Sequence, residues 1–76
     1  MRNLLTNGEY KVISELEKHS NKDKLINISI TPLLEVTKEL NYKKPTIYVY
    51  MRSLENKGYI EWSRNYYVKL IKDYDK

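Results

Sequence analysis

Apolar residues recur along this chain in two rhythms, and each change of rhythm marks an element. Val12, Ile13 and Leu16 follow the three-to-four spacing of one helix face. Thr6-Asn7-Gly8-Glu9, just before them, has the T-x-x-E form of a capping box, with Thr6 as N-cap and Glu9 reaching back to it. Leu5 before the cap and Tyr10 at the fourth helical position suit a hydrophobic staple. A first helix is therefore predicted over about residues 7–20. Ser20 to Lys24 is polar and reads as a loop. Leu25, Ile26, Ile28 and Ile30 then alternate in part, as one short strand would. Ser29 or Thr31 is expected to cap a second helix over about 31–41, with Pro32 in its first turn. Leu33, Val36 and Leu40 form its buried face, with Leu34 at the rim and Glu35, Lys38 and Glu39 outward.

The next stretch is the most informative. Asn41 suits the left-handed residue that ends a helix, and the fixed φ of Pro45 suits the first position of the next one. A third helix is predicted over about 45–57, where Gly58 stops it. Ile47, Met51 and Leu54 recur at four and three, which gives one stripe toward a core. Thr46, Tyr48, Val49 and Arg52 lie on the other side, with Lys43 and Lys44 at the helix entrance. Beyond Gly58 the period falls to two. Tyr59-Ile60-Glu61-Trp62 and Tyr66-Tyr67-Val68-Lys69-Leu70 read as a hairpin around Ser63-Arg64-Asn65, with Ile60, Val68 and Leu70 on the core side. Ile71 to Lys76 is a mixed-charge tail. Two helices joined by a turn of three or four residues make a helix-turn-helix. The expected fold class is mainly α with a small β-hairpin, in the order of a winged helix.

LEVTKELNYKKPTIYVYMRSLENKGYIEW resembles the core of winged helix-turn-helix regulators such as the GntR and MarR families. Those families share a LAxxLG helix, a TV start to the next helix, and LxxLExxGLI. Val36 to Asn41 stands in the first part, Thr46-Ile47 in the second, and Met51, Leu54, Glu55, Gly58, Tyr59 and Ile60 in the third. The opening LTNGEYKVISEL is similar to the first helix of the LexA DNA-binding domain. Asn41 stands where those families usually have glycine, and Tyr50 where a small residue is common. The resemblance implies a winged helix over about residues 5–70, with its third helix in the major groove of DNA. No effector-binding or dimerisation domain like those of GntR and MarR proteins is expected here, so neither their ligands nor their dimer mode carries over. The stand-alone size also resembles small regulators of phages, plasmids or archaeal viruses.

Composition narrows the function further. A chain of 76 residues is expected to form one domain, 1–76. Hydrophobic content of 41% with 32% charge suits a globular protein. No apolar run approaches a membrane span, the Met1 end lacks a signal-peptide core, and a cytoplasmic location is expected. With no cysteine there is no disulfide or thiolate metal site. Catalysis is not expected, nor is a cofactor. The single histidine, His19, falls at a helix end where its charge suits the dipole. The acidic residues are scattered, and two glycines make no phosphate loop. The net charge is +4, and Lys43 to Arg64 carries +3 of it, from five basic residues (Lys43, Lys44, Arg52, Lys57, Arg64) against Glu55 and Glu61. Such a balance suits an anionic partner.

The expected function is sequence-specific binding of double-stranded DNA by a small transcriptional regulator. Lys43 and Lys44 sit where helix amides already favour phosphate. Thr46 and Val49 offer apolar contacts to thymine methyls, and Tyr48 can touch a methyl, stack or bond a phosphate. Arg52 is able to bond guanine O6 and N7 in bidentate fashion. Arg64 and Asn65 belong to the hairpin tip, with Arg64 aimed at a minor groove or a phosphate. Trp62 is expected to anchor the hairpin by packing. One module buries only about 600–1,000 Å² on DNA, so a homodimer or a tandem arrangement on repeated sites is expected. The alternative is a winged helix used for protein contact, in replication or transcription, through its exposed tyrosines. A third reading, shape recognition of left-handed or single-stranded nucleic acid, lacks the proline-proline-x-tryptophan wing motif.

Overall fold

The computed structural model describes residues 5–64 and 66–71. Thr6 caps α1 (Asn7–His19) by accepting from the Glu9 N–H, and the Glu9 carboxylate accepts from the Thr6 N–H at 2.9 Å. The capping box written in the sequence is thus formed in both directions. Val12, Ile13 and Leu16 are fully buried. His19, the last residue of α1, is exposed, with Nδ1 3.0 Å from the Glu15 carbonyl.

Asn21 then folds the chain back, accepting from the Asp23 and Leu25 N–H groups at 2.8 and 3.1 Å, while Lys24 takes φ 60°. β1 (Leu25–Asn27) is shorter than its apolar alternation suggests. The Asn27 side chain accepts from both the N–H and the hydroxyl of Ser29, and its carbonyl accepts from the Ile30 and Thr31 N–H groups. That turn ends the strand. Ile28 remains buried, but Ile30 is 77% exposed and belongs to no core face.

The second helix is the clearest correction. In place of one helix over 31–41 there is a single turn, α2 (Leu33–Val36), followed by a 3-10 turn at Lys38–Leu40. Pro32 occupies the N-cap and no side chain caps the helix. Neither Ser29 nor Thr31 takes the cap position, which lies one residue beyond Thr31. The break falls at Thr37, whose buried hydroxyl donates to the Leu33 carbonyl at 3.0 Å while its backbone sits at φ −104°, ψ 11°. Such back-bonding by threonine bends helices. Asn41 does take the left-handed conformation, at φ 59°, ψ 25°.

α3 (Lys44–Asn56) begins one residue before Pro45, which therefore sits second in it. Ile47, Met51 and Leu54 are fully buried, worth roughly 1.5–3 kcal/mol each relative to exposure. Gly58, at φ 82°, turns the chain into β2 (Ile60–Ser63), and β3 (Tyr67–Leu70) returns antiparallel to it. β1 also pairs antiparallel with β3, so the sheet is three-stranded in the order β1-β3-β2. Val68 faces Ile26 on one side and Trp62 on the other, which places all three on the core side with Ile60 and Leu70. Three helices and a three-stranded antiparallel sheet thus enclose one apolar cluster.

Two contacts lock α1 to α3. Gly8 lies against the Tyr50 ring so closely that a Cβ there would overlap its atoms. Tyr50 thereby fills the space between helices, with Tyr42 tilted against it at 5.5 Å. Beside them the Glu9 carboxylate is buried, accepting from the Ser53 hydroxyl and, at 2.6 Å, from Lys57 Nζ. Burial by itself raises the pKa of Glu9. The hydrogen bonds from Lys57, Ser53 and the Thr6 backbone outweigh that and hold it below the ordinary value.

Candidate nucleic-acid interface

The surface of α3 divides into three strips outside its buried stripe, because residues three and four apart share a helix face. Thr46, Tyr50, Ser53 and Lys57 fall on the flank that meets α1. Tyr48, Arg52 and Glu55 fall on the flank that meets the hairpin. Val49 points away from the core and is 64% exposed. The four residues expected to act as one face are spread across it. Tyr48 and Arg52 lie together at the groove, Val49 is outward beside Arg52, and Thr46 is half-buried at the α1 edge.

Lysines stand at the start of this helix. Lys43 is the N-cap residue and Lys44 the first helical one; both are exposed. Lys44 Nζ lies 5.7 Å from the centre of the Tyr48 ring, within cation–π range. Lys43, Lys44 and Arg52 have no acidic partner among the described residues. Lys57 differs from them. It counts toward the basic stretch in the sequence, yet in the structure it is committed to Glu9 on the far flank.

The hairpin side is built around Trp62. Its indole is buried, as a packing anchor should be, and Nε1–H donates to the Arg64 carbonyl at 3.2 Å. Tyr48 meets the Trp62 ring edge-on, with centroids 5.5 Å apart. Arg64 does not project from the hairpin. Its guanidinium lies 4.4 Å above the Trp62 ring and donates through both terminal nitrogens to Glu55 Oε1, each at 3.4 Å. Tyr48, Arg52, Trp62 and Arg64 line a groove of about 270 Å³ between helix and hairpin. A second groove continues from it past Tyr48, Trp62 and Arg64 to Ser29, Pro32 and Leu33 at the start of α2. Asn65 lies outside the described residues.

The pairing of Glu55 with Arg64, and the placement of that guanidinium over Trp62, are what sequence reasoning missed here. A signal was present: Glu55 is three residues after Arg52 and seven after Tyr48, hence on their flank. The hairpin also carries a hydrogen bond from Tyr67 to Glu61 at 2.6 Å. The bond to Glu61, and the charge of that carboxylate, hold the Tyr67 hydroxyl above its ordinary pKa. Among the described residues no three His, Asp or Glu side chains are placed to hold a metal ion, and no helix is long and apolar enough to cross a membrane.

The interface thus combines two exposed lysines at a helix start, an aromatic pair and two guanidinium groups facing one groove. Compared with models of protein families, with curated proteins and with solved structures, the chain finds no match.

Proposed function

We propose that this chain is a winged helix-turn-helix protein that binds double-stranded DNA, and that it serves as a small transcriptional regulator. In this reading α3 faces the major groove and the β2–β3 hairpin is the wing along the flanking backbone. The observation that supports it best is the outer side of α3. Lys43, Lys44 and Arg52 have no acidic partner among the described residues, while the opposite stripe of the same helix is wholly buried. A helix held so firmly on one side presents the other as a rigid reading surface. Because one module contacts little DNA, two copies on a symmetric or repeated site are part of the proposal.

Titration of binding to random duplex DNA against salt tests it. If Lys43, Lys44, Arg52 and Arg64 neutralise about four phosphates, log K falls with log salt at a slope of about −3.6. Lys44→Ala weakens binding to all sequences and reduces that slope by roughly one. A flat salt dependence selects the other reading, a protein-contact module. Ile30 at 77% and Tyr66 at 70% exposure are the side chains outside α3 that such a module would offer a protein partner.

A further inference from the structure

We propose that the groove between α3 and the hairpin is a clamp for one backbone phosphate of duplex DNA. Arg52 and Arg64 close on it with the Tyr48 hydroxyl, and Glu55 holds Arg64 in store over Trp62 until the phosphate takes its place. The inference rests on the DNA-binding reading and assigns the chemistry of its central groove.

The geometry carries it in three steps. Arg52 of α3 and Arg64 of the hairpin line the same groove, together with Tyr48 and Trp62. Two cationic side chains lining one groove favour an anion in it, and guanidinium is well shaped for phosphate oxygens. Arg64 is held at a defined place, its carbonyl bonded by the Trp62 indole and its guanidinium 4.4 Å over the same ring. A cation resting on an aromatic face is oriented without being used up, because its edge donors stay available. Glu55 takes those donors in the free protein, by long bonds of 3.4 Å, and the Arg64 side chain is 60% exposed. Exposed pairs of that kind exchange readily. A phosphodiester offers Arg64 the same oxygens with Arg52 as a second donor, so the exchange favours the duplex.

This reading moves Arg52 from reading a guanine to gripping the backbone, on the flank that faces the hairpin. It also makes Glu55 an internal competitor of DNA. Charge removal at Glu55 then tightens binding, and only through Arg64.

The test uses the full chain and a random duplex, with Trp62 as probe, since it is the only tryptophan. Glu55→Gln tightens binding about two- to fivefold. The gain disappears in the Glu55→Gln, Arg64→Ala double variant. Arg52→Ala and Arg64→Ala each weaken binding alike on all sequences, and the Arg52→Ala, Arg64→Ala double variant, which leaves that one phosphate without a cation, makes the salt slope shallower by about 0.9. Duplex addition changes Trp62 emission in the wild type and not in Arg64→Ala, as a phosphate replaces the Glu55 carboxylate at the guanidinium that rests on the ring. Inorganic phosphate at the same charge concentration leaves the emission unchanged, because the groove needs the lysines' neighbouring phosphates for affinity; an equal response to it marks a site for free phosphate and overturns the duplex clamp. A Glu55→Gln gain that survives Arg64→Ala overturns the stored-arginine device. So does an Arg52→Ala variant that loses preference for one guanine, in place of weakening alike on all sequences. If the clamp fails in these ways while wild-type binding keeps its salt dependence, the DNA reading stands without it. Absence of any duplex binding overturns both.

Discussion

The two flanks of α3 each carry a glutamate paired with a cation, and the pairs could hardly differ more in character. Toward α1, Glu9 is buried at 4% side-chain exposure and bonded to Lys57 at 2.6 Å, with Ser53 and the Thr6 backbone filling its remaining positions. Toward the hairpin, Glu55 meets Arg64 at 3.4 Å with the Arg64 side chain 60% exposed and that of Glu55 32% exposed. Desolvation decides what each pair does. A carboxylate removed from water depends on every partner it has, whereas one in water exchanges a guanidinium for solvent at little cost. One flank is thereby fixed to the body of the protein and the other left free to change partners.

Breaking the buried pair gives the largest effect. Lys57→Met leaves the Glu9 carboxylate without its counter-charge and is expected to destabilise the fold by about 2–3 kcal/mol, below the range for fully buried pairs because Lys57 keeps some contact with water. Urea unfolding measures it. Acid has a smaller effect on the same pair. Glu9 binds its proton less readily folded than unfolded, so its contribution is complete above the ordinary carboxyl value of 4.5 and fades as pH falls below that through the depressed folded value. The stability difference between wild type and Glu9→Gln should accordingly be constant from neutral pH to about 5 and shrink toward pH 3. Equal differences at both ends would mean that the carboxylate's charge contributes nothing. The smallest effect belongs to the exposed pair: Glu55→Gln should shift stability by no more than about 0.5 kcal/mol in the same urea series. A loss as large as that of Lys57→Met would erase the distinction between the flanks.

Local chemistry was legible in the sequence and partnership across the fold was not. The Thr6–Glu9 capping box, the left-handed Asn41, Pro45 in the first turn of α3 and the Gly58 stop are all set by neighbours within four residues, and the structure forms each of them. The stripe Ile47–Met51–Leu54 and the inward Ile60, Val68 and Leu70 follow from period alone. The second helix failed because Thr37 can either continue a helix or bond back to its carbonyl, and nothing adjacent decides which. Ile30 failed because Asn27 closes a turn before the alternation finishes. In the candidate site, Lys57 and Arg64 look like surface cations until Glu9 and Glu55 are brought beside them. Lys57 meets its glutamate 48 positions away, and Arg64 meets its own across the helix-to-hairpin turn. A helical wheel separates Thr46 from Tyr48, but only the packed structure says which flank meets which neighbour.

Gly8 shows how a residue can be chosen by an element to which it does not belong. Judged within α1, the second helical position is a place where alanine outperforms glycine, and any redesign guided by helix propensity would replace it first. A Cβ there would have to displace the far end of the Tyr50 ring from its place between the helices. Position 8 and position 50 are therefore coupled within one chain. A smaller side chain at 50 would open position 8 to substitution, and the two sites would be expected to vary together wherever this architecture is re-engineered.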